Sequence, residues 1–313
     1  MMVMMMVMMG CNSGGVKGEG TGGDGRGLNE VVSSARQVFL ETFLSFSDLL
    51  KGAFGITADT TKEAVGERLG EIGEAVNVAK SKLESLKIVD NYNLIKDKAD
   101  GVITKMIGIL EKLVNGSNKI KEATKDASGK IANADNAGDA VQADTESVKG
   151  LVEGISMIYE AIRDAKIDLG GNAVKVIADS KAISKLFNAT GNASADGLKA
   201  ANVALNASSG ADILAAIEAS RRGVGKSAGQ IKDATNAYDI AVATKDDTDA
   251  HNDISTKGPV IAAGIALRAM AKSGKLATKA ADAPQEGINA VLSRAVSKTV
   301  NEMMLNIRKT VDK

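Results

Sequence analysis

Residues 60–86 read TTKEAVGERLGEIGEAVNVAKSKLESL, and their spacing sets the fold class. Apolar side chains recur at Val65, Leu69, Ile72, Val76, Ala79, Leu83 and Leu86, in alternating steps that place them on one stripe of an α-helix. Thr60 and Glu63 stand at capping-box spacing, where hydroxyl and carboxylate satisfy each other's free backbone amides at a helix start. The same steps recur at Ile95, Ala99, Val102, Met106, Ile109 and Leu113, and Gly116 predicts the end of this second helix. Two narrow seams in succession predict an antiparallel hairpin within the chain. A homodimer through a coiled coil uses the same spacing and stays open.

Outward from this hairpin, both flanks read as helix. Leu28, Val32, Ala35, Phe39, Phe46 and Leu49 share one face, with Phe43 and Leu50 beside it, before Gly52 and Gly55 break the pattern. Near the other end, Val260 to Ala271 is apolar nearly all round except for Arg268. It is too short to span a bilayer and predicts a buried core helix, with Pro259 at a first helical position. Pro284 opens a last helix whose stripe runs through Ile288, Val291, Leu292, Val296, Val300, Met303, Met304, Ile307 and Val311. Such a stripe needs a partner, and the 28–50 helix offers one. Residues 115–150, 188–212 and 244–258 are polar and Ala-, Asn-, Asp- and Gly-rich, and predict variable-type loops joined by short helices such as Leu151 to Ile167. No stretch alternates as a strand does. The pattern predicts an all-α, elongated multi-helix bundle with the N- and C-terminal helices packed together at one end and polar loops at the other.

Composition agrees. In 313 residues, Lys plus Arg and Asp plus Glu are both 39, which argues against the basic footprint of a nucleic-acid binder. Aromatics are 3% and Trp is absent, so the core is built from Ala, Val, Ile, Leu and Met, with few platforms for stacking bases or flat cofactors. Two prolines, Pro259 and Pro284, leave long stretches free to be helical.

The chain opens with nine apolar residues, Met1 to Met9, followed by Gly10 and Cys11. That run is far shorter than the roughly 20 residues of a spanning helix and about as long as the hydrophobic part of a signal peptide. Met8, Met9, Gly10 and Cys11 resemble a bacterial lipobox, in which cleavage precedes a cysteine carrying diacylglycerol and then an N-acyl chain. Residues 1–10 therefore predict a signal peptide, read as truncated because no Lys or Arg precedes the apolar run. Cys11 is the only cysteine and the expected lipidation site. Two or more acyl chains make a stable anchor, which implies a protein held to a membrane by lipid. Residues 11–27 form a Gly-rich tether, whose 16 residues after Cys11 would span roughly 20–24 Å as a coil. Residues 28–313 form one helical surface domain.

Candidate chemistry is sparse. Gly223-Val224-Gly225-Lys226-Ser227 resembles the end of a phosphate-binding loop, but the first glycine of that pattern falls on Ser220 and Ile213 to Arg222 reads as helix. The glycine pattern at Gly18 to Gly23 lies within the tether and has no strand before it. Asp246, Asp247, Asp249, His251 and Asp253 lack the bend glycine and terminal glutamate of a calcium loop and read as a solvated acidic loop, so no metal is expected. One histidine and one thiol remove Ser-His-Asp and Cys-His catalysis, and the chain reads as a non-enzyme without a cofactor. Arg221, Arg222 and Lys226 form a local basic cluster. Its plainer reading is a solvated helix end; its sharper one is a contact for an anionic host polymer such as a glycosaminoglycan, an adhesin function. A solute-binding lipoprotein would need strands alternating with helices around a cleft.

The Met-Gly-Cys lipobox, the glycine-bearing tether, Val38-Phe39-Leu40 to Asp48, KIKEATKDASGKIANADNA at 119–137, Gly154 to Ala165 and the closing Ile288–Lys313 helix together resemble the variable large proteins of relapsing-fever Borrelia. The resemblance runs along essentially the whole chain. It implies a surface-exposed lipoprotein of antigenic variation and immune evasion, met by host antibodies, with a helical fold like that of the related Lyme-disease antigen and termini near the membrane.

Overall fold

The computed structural model describes residues 55–88, 92–94, 96–225, 229–244 and 254–312, together with Ser33 and Gln37. The α-helices are α1 (Lys62–Leu86), α2 (Lys96–Thr124), α3 (Thr145–Asp164), α4 (Ala195–Ala207), α5 (Gly210–Ser220), α6 (Ala237–Ala241), α7 (Gly258–Met270) and α8 (Gln285–Asp312). Strand pairing among the described residues is confined to isolated bridges such as Thr61 with Lys130 and Val141 with Lys275. The fold is all-α.

α1 and α2 form the antiparallel hairpin that the two seams predict. Lys87 meets Asp100 at 2.9 Å at one end, and at the other the Asp126 N–H donates to Glu63 Oε1 at 2.9 Å. On α1 the buried residues Val65, Leu69, Ile72, Val76, Ala79, Leu83 and Leu86 are those of the apolar pattern. On α2 the buried face runs instead through Ala99, Ile103, Leu110 and Leu113, and the expected Val102, Met106 and Ile109 are half-buried. α3 lies antiparallel to α2, with Lys119 on Glu153 at 2.6 Å and Lys112 on Asp164 at 2.7 Å. α7 is buried at every residue and packs against α4, α5, α6 and α8, as its all-round apolarity predicts. α8 buries the broad stripe from Ile288 to Val311.

The helix boundaries differ from the pattern in three places. The hydroxyl that caps α1 belongs to Thr61, which accepts from the Ala64 N–H at 3.0 Å, because Thr60 turns back to cap the Thr57 N–H and Glu63 reaches across to Asp126. α2 runs through Gly116 to Thr124, since Gly116 is the point where α2 crosses α3. A Cβ there would stand 2.7 Å from Gly154 O, so glycine is required by close approach and the backbone stays helical. Most of 188–212 is helix rather than loop: Ser194 caps α4, and Ser209 with Asp212 forms a complete capping box on α5. Ala200, Ala201, Ala204 and Leu205 supply the buried face of α4. Residues 125–144 remain irregular, and 254–257 are a turn leading into α7. The proposed pairing of the 28–50 helix with α8 lies outside the described residues.

Candidate functional site

The irregular segments 125–144, 188–194 and 271–284 converge at one end of the bundle. α1 and α3 begin there, α2 and α7 end there, and α8 starts there. From Gln285, α8 then carries Asp312 about 40 Å away along its axis. This polar cap is fastened to the helices mostly by side chains that bond its backbone.

Arg268, in the last turn of α7, is 1% exposed. Its Nε donates to Lys275 O at 3.0 Å, Nη1 to Ala241 O and Ala243 O at 3.0 Å, and Nη2 to Val141 O at 2.6 Å. The guanidinium also lies 4.8 Å from the Phe187 ring centroid. Burial lowers its pKa to about 9, still above neutral, so a cation sits in the core with carbonyls in place of a carboxylate. Lys62, at the first position of α1, is 2% exposed. Its Nζ donates to Ala271 O at 2.7 Å and Gly274 O at 2.9 Å. Ala271 ends α7, where carbonyls without helical partners face outward and favour a donor.

Neutral groups complete the fastening. From α8, Asn289 Oδ1 accepts the Ala134 N–H at 3.0 Å and Gln285 Nε2 donates to Ala134 O at 2.7 Å. Thr278 Oγ1 takes the Gly138 N–H and donates to Asp135 O, both at 2.7 Å, and Thr190 donates to Thr278 O. Ser147 Oγ, at the start of α3, receives the Lys272 N–H at 3.1 Å and donates to Ala123 O at 2.6 Å. Periodicity marks Arg268 only as the odd residue of an apolar helix. Lys62 continues the stripe of α1 three residues before Val65, a position whose burial the sequence pattern allows but whose partners it does not show.

The basic cluster is less basic than its sequence. Arg221 is ion-paired with Glu160, which, with Glu218 and Glu153 nearby, raises the guanidinium above its ordinary pKa. Arg222 is exposed on the short 3-10 turn Arg221–Gly223 that follows α5. Lys226 lies outside the described residues, as do Met8, Met9, Gly10 and Cys11 and the acidic stretch with His251. No described helix is long and apolar enough to cross a membrane.

Comparison with known proteins follows the same line. A sequence model of the Borrelia lipoprotein family matches residues 39–313. Variable large protein 4 of Borrelia hermsii is 37% identical, with 99% of this chain and 88% of the relative covered. Variable large protein 17 of the same organism is 38% identical over 97% of this chain and 85% of its own length. The crystal structure of the Lyme disease variable surface antigen VlsE of Borrelia burgdorferi superposes with a TM-score of 0.74 at 27% identity, covering 90% of this chain and 94% of that one. With the family matched over most of its length and whole-chain relatives above one-third identity, the chain belongs to the Borrelia lipoprotein family, among the homologues of its variable large proteins.

Proposed function

We propose that the chain is an outer-surface lipoprotein of antigenic variation, held to the outer membrane by acyl chains on Cys11, that displays an exchangeable polar cap to host antibodies at the far end of a helical scaffold. The observation that carries this reading is the way the cap is fastened. Lys62, Arg268, Gln285 and Asn289 bond backbone carbonyls and amides of the cap. A backbone atom is present whatever the side chain, so exposed positions such as Ser128, Asn136, Gln142 and Ala280 can change without removing an anchor. Evasion of antibodies needs that separation of a fixed frame from a variable face. The cap lies at the end of the bundle away from Asp312, which suits a molecule tethered by its termini.

Protease treatment of intact cells, run beside labelling with a radioactive fatty acid, tests the reading. The expected result is rapid loss of the intact chain to external protease and label that disappears in Cys11→Ser. A chain that resists external protease and takes up no label would overturn it. Glycosaminoglycan binding through Arg221, Arg222 and Lys226 gains nothing from the geometry, because Glu160 already neutralises Arg221.

A further inference from the structure

Lys62 and Arg268 hold the same turn from two sides. Lys62 bonds Ala271 O and Gly274 O, Arg268 Nε bonds Lys275 O, and Ser273 between them has a φ of 65°. Gly274 lies against Arg268 so closely that a Cβ would stand 2.8 Å from Arg268 Cγ. The charged groups acting on Lys62 are cations: Arg268 on α7 and Lys275 on the turn. From the 125–144 segment comes Asp135, which is exposed and occupied by Lys275 at 2.8 Å. Glu63 on α1 is turned to the Asp126 N–H, and Asp144 caps the Ser147 N–H.

Lys62 is buried with two carbonyls as its hydrogen-bond partners and no carboxylate among the described residues to hold a proton on it, beside a second buried cation. Asn133 donates to the same Gly274 O at 2.9 Å, but its Oδ1 is buried without a partner and takes no proton from Lys62.

We propose that Lys62 and Arg268 form a proton-sensitive latch, in which a neutral Lys62 holds the 271–284 segment closed and a protonated Lys62, beside Arg268, loosens that segment and the cap with it. Burial first, then the charges of Arg268 and Lys275, push the Lys62 amine down to about 7. In an opened segment the amine returns to roughly 10.4. Opening therefore takes up a proton between those values, so the latch tightens as pH rises through this window and is fully weakened below it.

Hydrogen exchange of the full chain from pH 6 to 9, corrected for the intrinsic pH dependence of exchange, tests this. Protection of peptides spanning 268–284, relative to peptides at the α2–α3 crossing, is expected to rise roughly tenfold per pH unit between about 7.5 and 9 and to be flat below about 6.5. Lys62→Met should abolish the rise, and Lys62→Arg, charged throughout, should leave the segment exchange-prone at every pH. A flat wild-type profile, or a slope kept by Lys62→Met, would overturn the latch. If Lys62→Met does not fold, the wild-type profile and Lys62→Arg decide.

Discussion

Gly116 and Gly154 lie back to back where α2 crosses α3, each placed so that an added Cβ would come within 2.7 Å of the other's carbonyl oxygen. Alanine is the better helix former by about 1 kcal/mol, but here it must force two backbones apart, at a cost of about 1–3 kcal/mol. Gly116→Ala and Gly154→Ala should therefore destabilise the protein in urea denaturation. Gly101→Ala and Gly108→Ala on the same α2 meet nothing within 4 Å and should stabilise it by about 0.5–1 kcal/mol. If all four stabilised the protein, helix propensity rather than close approach would govern these sites. Arg268 obeys a different rule. Its carbonyl partners cannot be rehydrated in the core, so Arg268→Met should cost about 3–5 kcal/mol. Arg268→Lys should recover little of this, since three donors on a compact ammonium cannot span the positions that a planar guanidinium reaches.

α4 and α5 show why the sequence pattern runs out in the middle of the chain. A long seam of Val, Leu and Ile declares itself in α1, α2 and α8, and the all-round apolarity of α7 places that helix at the centre. Alanine helices bury a face with little contrast, and their Ser caps read as loop. Only Ser209 and Asp212, three residues apart, keep a local signal for the start of α5. The cap fastenings are harder still, because Lys62 and Ala271 or Asn289 and Ala134 are far apart in sequence and join a side chain to a backbone atom that carries no identity. Asp212 illustrates the extra duty such residues take on. It caps α5 and also accepts the Asn172 N–H at 2.8 Å, tying the 165–180 segment to the helix. Ser194→Ala, which removes a cap alone, should cost about 1 kcal/mol in thermal denaturation. Asp212→Ala should cost about twice that and speed amide exchange in 168–176, where Ser194→Ala should leave exchange unchanged.

At the scale of the molecule, a frame that grips backbone and a face that presents side chains predict two separable behaviours. Joint substitution of Ser128, Asn136, Gln142 and Ala280 by other polar residues should move Tm by no more than about 4 °C, since exposed sites seldom change stability by more than about 0.5 kcal/mol each. The same set should abolish binding of antibodies raised against the cap. Orientation is checked independently, since Cys11 is the only cysteine of the sequence and under the proposed acylation leaves no free thiol to compete. Asn136→Cys and Lys309→Cys place a thiol near the two ends of the roughly 40 Å axis of α8, both at exposed positions. On intact cells, a bulky membrane-impermeant maleimide should modify Asn136→Cys the faster, while on the detergent-extracted protein the two rates should converge. Faster modification of Lys309→Cys on cells would place the cap toward the lipid. The backbone-fastened segments would then face the membrane, where antibodies exert no pressure for them to change.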